Sequence, residues 1–379
     1  MELEDKKQVD NLLVEDSDNK AKERGTSTRN LLFGLLILIV MLFLTWRIIF
    51  TDYSFDEMLT SLQSTNWHWL LLGFLMMLIH QLCIALSIVR VLKYIAPKVD
   101  ISNNLAICTS FIGFFFNNIT PSSSGGQPMQ MYYMKKRGIA MSYTSVVFIA
   151  LAIFYNLAML FYCALVNILR FNYVKNNLGY VSYLLPLGYL LYIVTTTFLI
   201  VLFFNPMIIV KSARSILNFL IKYRLVKRPK ALLAKLLHFS KRYVASSLNF
   251  NKNWRLIWEL AGLHLIQLAA YTSVPFFAAM ALKDCMTTNK WQLFLDTFTM
   301  QAILNISASL IPSPGAVGLT EGNFLRLFTN IVGDKQVLTT MLLTRLVNLY
   351  VFLLIATVIT IICFVKPGIY AKRDGKSDN

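Results

Sequence analysis

Thr120-Pro121-Ser122-Ser123-Ser124-Gly125-Gly126-Gln127-Pro128 interrupts an apolar stretch that begins at Ile101 and ends at Met134. Two prolines, two glycines and three serines within nine residues are the chemistry of a turn rather than of a helix interior. The runs on either side are nevertheless apolar enough to sit in hydrocarbon. Irregular backbone survives at membrane depth only where protein covers it or a wet cavity receives it. A break here therefore predicts a segment that folds back on itself. A second stretch repeats the pattern: Trp291–Ile331 is broken at Ile311-Pro312-Ser313-Pro314-Gly315-Ala316-Val317-Gly318.

The surrounding sequence supplies the membrane setting. Of 379 residues, 56% are hydrophobic and 15% charged, well under the roughly 25% charge of soluble domains. Uncharged or nearly uncharged runs occur at Leu31–Phe50, Trp67–Val89, Ser142–Leu169, Leu178–Val210, Leu260–Leu282 and Gln336–Val365. Each reaches the roughly 20 residues a crossing needs. The expected fold class is an all-α integral membrane protein with about six full spans and two oppositely oriented re-entrant hairpins. Counting the hairpin limbs raises the figure to about eight spans, in an inverted-repeat, transporter-like arrangement.

The first 29 residues mix eight acids with six bases and hold no apolar run, which predicts a disordered tail and not a signal peptide. The expected division is a tail at 1–29, a transmembrane domain at 30–366 with a basic cytoplasmic segment at 207–256, and a second tail at 367–379.

Basic residues set the orientation through the positive-inside rule. Lys20, Lys22, Arg24 and Arg29 place the N-terminus in the cytoplasm, and Thr51–Asn66, with Asp52, Asp56, Glu57 and no Lys or Arg, falls outside. Arg90, Lys93 and Lys98 return the chain inside, and so do Lys135-Lys136-Arg137. Ile101–Met134 thus starts and finishes on one face. Pro128–Lys136, nine residues, spans about 13.5 Å as a helix, roughly half of a core about 30 Å thick. Between Pro206 and Trp258 lie 12 Lys/Arg and no acid, again cytoplasmic. Leu232, Leu233, Leu236, Leu237 and Phe239 recur there at helical spacing, opposite Lys235 and Lys241, which predicts an interfacial helix beginning near Pro229. Trp291–Asp334 enters and returns on the outer face, because Lys366, Lys372 and Arg373 hold the C-terminus inside. The expected location is a bacterial cell membrane, crossed many times, with both termini cytoplasmic.

The two breaks align weakly. Thr120-Pro121-Ser122 matches Ile311-Pro312-Ser313 at an offset of 191, while Gly126 matches Gly318 and Asn156 matches Asn348 at 192. Such paired interruptions in opposed halves mark midplane binding sites in many transporters. Ser122, Ser123 and Ser124 bring hydroxyls, and Gly125 and Gly126 let backbone approach a ligand. Pro128 suits the first helical position, and the free N–H groups there favour an anion such as a lipid phosphate. The competing reading is a structural kink capped by its own serines.

Three charges lie in or beside apolar runs: Asp296, Glu321 and Arg345. Asp296, six residues from Lys290, suits an interface. Arg345, nine residues into the last span, is costly there unless paired. Either a Glu321–Arg345 pair or a phosphate held bidentately would relieve it. The candidate lipid-binding set is Pro121, Ser122, Ser123, Ser124, Gly125, Gly126, Gln127, Pro312, Pro314, Gly315, Gly318, Glu321 and Arg345. His80 and His264 read as satisfied core residues, and Asn117, Asn118, Asn156 and Asn348 as glue between helices. The five cysteines, scattered singly, read as small buried hydrophobes.

Other chemistry finds no sequence support. Gly375-Lys376-Ser377 lacks the glycine of a Walker A motif, and no HExxH, GxSxG or metal-spaced cluster occurs. No catalytic residue, metal or cofactor is expected. The net charge of +17 is placed for membrane orientation and not for nucleic acid.

On these motifs the chain resembles the transmembrane region of the lysylphosphatidylglycerol synthetase/flippase family. The resemblance is carried by Thr120–Pro128 after a Phe- and Asn-rich limb, and by Pro312-Ser-Pro-Gly-Ala-Val-Gly-Leu-Thr-Glu321, and covers roughly Leu31–Lys366. It implies a lipid translocase module linked to aminoacylated phosphatidylglycerol and cationic-peptide resistance. Full-length members carry a soluble aminoacyl-transferase domain after further spans, whereas 13 residues follow Lys366 here. The leading expectation is translocation of an anionic or aminoacylated phospholipid such as lysylphosphatidylglycerol. The alternatives are a phosphatidylglycerol lysyltransferase or its membrane subunit, and a membrane subunit that docks a separate lipid-modifying enzyme on 207–256. A homo-oligomer is compatible with each.

Overall fold

A computed structural model of the chain describes residues 65–97, 99, 101–120, 123–222, 229–282, 289–308 and 319–365. All regular structure among them is helical. The expected tails, the Leu31–Phe50 span, Pro121, Ser122 and the second break with Pro312, Pro314, Gly315 and Gly318 lie outside the described residues.

The helices are α1 (Trp67–Ile95), α2 (Asn103–Ile119), α3 (Gly126–Lys136), α4 (Met141–Leu169), α5 (Phe171–Asn177), α6 (Val181–Phe204), α7 (Pro206–Lys222), α8 (Pro229–Asn251), α9 (Trp254–Met280), α10 (Lys290–Ala308), α11 (Leu319–Val332), α12 (Asp334–Arg345) and α13 (Phe352–Val365). A π-helical turn, Leu346–Val351, joins the last two. Local chemistry sets several boundaries. The side chains of Asn66, Ser102 and Asn253 accept from the backbone N–H of His68, Leu105 and Leu256 at 3.1, 3.2 and 3.1 Å, as N-caps do. α3 ends in a Schellman motif at Gly138, whose φ of 83° is free of Cβ strain. There Gly138 N–H donates to Lys135 and Ile139 N–H to Met134 at 3.0 and 3.1 Å.

Five elements are long and apolar enough to cross a membrane: α1, α4, α6, α9 and the continuous Asp334–Phe364 unit. They coincide with five of the six crossings read from sequence. One boundary differs: the run Leu178–Val210 breaks at Asn205, and Pro206 opens α7. Proline is well suited to a helix start, where its missing N–H has no partner to lose.

α2 and α3, of 17 and 11 residues, pack against each other. At 1.5 Å per residue they are about 25 and 16 Å long, so neither alone matches a core about 30 Å thick. α10 and α11 also pack against each other; α11, of 14 residues, is short in the same way, while α10, of 19, is about 28 Å long. Among the described residues, α1 packs along α9 more extensively than any other two helices do. The first pair lies against α1, α4 and α13, and the second against α4, α6, α9 and α12. Their side chains join different apolar clusters: Met134, Tyr133 and Ile112 in one, Ile303, Phe324 and Phe328 in another.

Polarity is inverted relative to a water-soluble protein. Tyr183, Phe198 and Leu190 on α6 are 79%, 61% and 58% exposed, whereas Gln81, Gln267, Gln301, Asn323, Glu321 and Arg345 are buried. Apolar groups outside and amides inside is the pattern lipid imposes.

α7 and α8 pack on each other, and α8 also lies on α4. Phe239 stacks on the buried Tyr243 at 5.8 Å, while Leu237 stays exposed. Burial pushes the Tyr243 phenol up to about 12. Ser247 donates to the Phe203 carbonyl at 2.7 Å, fixing α8 to the end of α6. The helix predicted near Pro229 therefore exists, runs on to Asn251, and is built partly into the helical body.

Candidate functional site

Thr120 organises the first break. Its hydroxyl donates to the Phe116 carbonyl at 2.6 Å and accepts from Gly125 N–H at 2.9 Å. Ser123 N–H reaches the Thr120 carbonyl at 3.2 Å, and Ser123 adopts a φ of 53°. That left-handed conformation is uncommon for a residue with a Cβ and lets the chain reverse in few residues. Ser123, Ser124 and Gln127 are exposed, while Gly126 is buried.

Two close approaches hold the limbs of this hairpin. A Cβ on Gly126 would lie 2.0 Å from Asn117 Oδ1, and one on Gly113 would lie 2.1 Å from Gln130 Nε2. Gln130 Nε2 donates to the Thr109 carbonyl at 3.0 Å, a buried bond between the limbs. The helix α3 begins at Gly126, so Pro128 occupies its third position and not its first. The N-cap is Gly125, which brings no side chain to the helix end. Pro128 brings no N–H and Met129 N–H donates to the Gly125 carbonyl at 3.2 Å, so the other first-turn N–H groups are those of Gly126, which is buried, and Gln127, which is exposed.

The second candidate centre is an ion pair. Arg345 Nη2 lies 2.9 Å from Glu321 Oε1, and the two residues are 7% and 3% exposed. Glu321 stands in the first turn of α11, Arg345 in the last turn of α12. The first turn of a helix is its positive dipole end and suits Glu321, whereas the helix runs on past Arg345 into the π turn. Tyr271 of α9 lies in electrostatic range of both groups. Two residues along α11 from Glu321, Asn323 Oδ1 accepts from the Tyr180 hydroxyl at 2.6 Å.

Beyond Arg345 the helix widens into the π turn, which places Asn348, buried and with no Oδ1 hydrogen bond among the described residues, three residues on. Single π turns inside helices recur at functional sites. Gln301 and Asn305, on the limb leading to the second break, bond each other at 2.8 Å. They leave Gln301 Oε1 and Asn305 Nδ2 without partners among the described residues.

The ion pair joins two of the sequence-predicted residues directly. Ser123, Ser124, Gly125, Gly126 and Gln127 belong to the turn and first residues of α3, on a different element from either member of that pair. Asp296 is ion-paired to Arg170, which also donates to Thr299 at 3.0 Å and lies 4.0 Å over the Tyr173 ring. Burial, and next the Asp296 carboxylate, hold the Tyr173 phenol above its usual range. Arg170 was missed because it ends a span, where a lone basic residue needs no partner. His80 and His264 donate from Nδ1 to the carbonyls of Gln267 and Leu260 at 3.1 and 2.9 Å, as satisfied core histidines do.

Helices of membrane-crossing length, apolar outer faces and a polar, charge-paired interior define a multi-pass membrane protein. The chain matches the family described as "Lysylphosphatidylglycerol synthase TM region" over residues 31–356 and belongs to it. It is 24% identical over 299 residues to a UPF0104 membrane protein of Methanocaldococcus jannaschii, covering 76% of this chain and 80% of that one. It is 24% identical over 364 residues to an uncharacterized protein of Mycoplasma pneumoniae, covering 88% and 86%. Its counterpart in Mycoplasma genitalium is 26% identical over 376 residues, covering 89% of each chain.

Proposed function

We propose that the protein moves an anionic or aminoacylated phospholipid, of the lysylphosphatidylglycerol class, between membrane leaflets. α2/α3 and α10/α11 are taken as re-entrant hairpins entering from opposite faces, with both termini cytoplasmic and the breaks near the midplane. The headgroup phosphate meets the two tips: Pro121–Gln127 in the first, and Pro312, Pro314, Gly315 and Gly318 in the second. The pairing pattern supports an inverted repeat, because each hairpin packs on a long span belonging to the other half.

The observation that carries the reading is the Glu321–Arg345 pair. It fastens the short helix of the second hairpin to the last span, in an interior where a charge is kept only for a purpose. Arg345 holds Glu321 in this state. Exchange of that carboxylate for a lipid phosphate, which fits the planar guanidinium fork, would couple loading to movement of one hairpin against the last span. Translocation then depends on a two-state rocking motion, biased by a ligand that binds the states unequally.

The test is a leaflet-resolved assay in proteoliposomes with a panel of anionic, zwitterionic and aminoacylated lipids. Transfer of none of them above protein-free vesicles rejects the reading. The family's description as a synthase region favours a second one, the membrane part of a phosphatidylglycerol lysyltransferase, with a separate enzyme docked on the basic 207–256 segment.

A further inference from the structure

A polar cavity of about 350 Å³ lies apart from both hairpin tips, lined by Asn176, Asn177, Gly179, Arg326, Asn330 and Asp334. It forms where the short helix α5 meets the end of α11 and the start of α12. Asn330 Nδ2 donates to Asn177 Oδ1 at 3.0 Å, tying α11 to α5 beside it. Gly179, at φ 53°, turns the chain toward α6. A Cβ there would come within 3.1 Å of Arg326 Nε, so a bare residue leaves the guanidinium its place. Arg326 and Asp334 are exposed, and neither is ion-paired among the described residues. Lys175 and Lys335 are exposed on the same elements.

Two unpaired charges of opposite sign, set among three amides, define a recognisable chemistry. A guanidinium takes a phosphate, a carboxylate takes an ammonium, and side-chain amides take hydroxyls and ester carbonyls. The volume sits at the low end of the roughly 300–1,000 Å³ of ligand pockets, which suits a headgroup and leaves no room for acyl chains. The position fits as well. α4 is 29 residues long, about 43 Å, with Lys135–Arg137 before its start and α5 directly after its end. The cavity therefore opens at the membrane face opposite that basic cluster.

We propose that this cavity docks a phospholipid headgroup carrying both a phosphate and an amine, with Arg326 on the phosphate and Asp334 on the ammonium. The proposal rests on the lipid reading above and narrows it: an amine-bearing headgroup fills both charges, whereas a plain anionic headgroup leaves Asp334 facing a phosphate. The cavity serves as the station at which the headgroup enters or leaves the outer leaflet.

The test uses the full chain in detergent micelles and three soluble probes: glycerophosphoethanolamine, glycerophosphate and ethanolamine, followed by titration calorimetry. Glycerophosphoethanolamine is expected to bind more tightly than either single-charge probe. Arg326→Gln and Asp334→Asn should each weaken it by at least about tenfold, and Asp334→Asn should leave glycerophosphate binding unchanged or stronger. Both sites are exposed, so the variants fold, and unchanged thermal melting verifies that. No binding of glycerophosphoethanolamine, equal binding by wild type and both variants, or tighter binding of glycerophosphate each overturns the proposal. Translocation is scored separately. Charge-dependent probe binding without lipid transfer rejects the transport reading and leaves the headgroup site standing, while transfer without probe binding rejects the site alone.

Discussion

A guanidinium nine residues into an otherwise apolar span needs an opposite charge, and Glu321 meets it at 2.9 Å. Removing one partner strands the other in a buried place, so Glu321→Gln should destabilise the fold by about 3–5 kcal/mol. Replacing both, as Arg345→Gln with Glu321→Met, should recover most of that stability, because a buried pair often exchanges well for neutral groups. Arg345→Lys should keep the fold and lose translocation, since an ammonium lacks the planar fork. Thermal melting in detergent and lipid transfer, measured on the same variants, separate the two roles. A fully active double variant would reject a phosphate grip by Arg345.

Glycines make a second prediction at this scale. Gly113→Ala forces the Gln130 amide aside and breaks its buried bond to Thr109, at a cost of about 1–3 kcal/mol. Gly262 has open space where its Cβ would go. Gly262→Ala should therefore be neutral or stabilise by up to about 1 kcal/mol through helix propensity. Equal melting temperatures for the two variants would show that the limbs of the first hairpin are not held by this contact.

At the scale of elements, the hairpin reading rests on length. α2, α3 and α11 have 17, 11 and 14 residues, each short of the roughly 20 a crossing needs. If they turn back, the ends of the two hairpins face opposite sides of the membrane. In a cysteine-free background, Lys136→Cys should label only from the cytoplasm and Lys335→Cys only from outside. Labelling of both from one face removes the inverted-repeat reading. The tie between α4 and α10 is an element-scale device too. Asp296→Asn leaves Arg170 half-satisfied beside Thr299 and should lower stability by up to about 3 kcal/mol without changing which lipids are moved.

For the whole molecule, the prediction separates transport from synthesis. A host that lacks lysylphosphatidylglycerol, made to express these 379 residues, should contain none of that lipid on extraction. Its appearance would favour the transferase reading. Under the proposed transport reading, α1 and α9, the most extensively packed pair among the described residues, would act as the pivot. Gly73 allows that approach, with Phe277 Cβ at 3.4 Å from where its own Cβ would be.

The amino-acid sequence by itself determined the membrane class, five of the crossings now described, the first break, and the demand that Arg345 be neutralised. Those follow from local quantities: run length, charge count and the presence of proline or glycine. It offered Glu321 as one of two partners, a bound phosphate being the other, and the structure shows the Glu321 pair. Only the tertiary structure decided that Arg170 answers Asp296, 126 residues away. It alone placed Asn117 against Gly126, widened the helix after Arg345, brought Cys108 and Cys363 into one apolar cluster, and assembled a polar cavity from residues 176–179 and 326–334. The reason is physical. Helices that are apolar all round carry no periodic stripe to say which face turns inward. Lipid tails compete with helix–helix contact on nearly equal terms, so partner and register are chosen by close packing of small residues and by individual polar bonds.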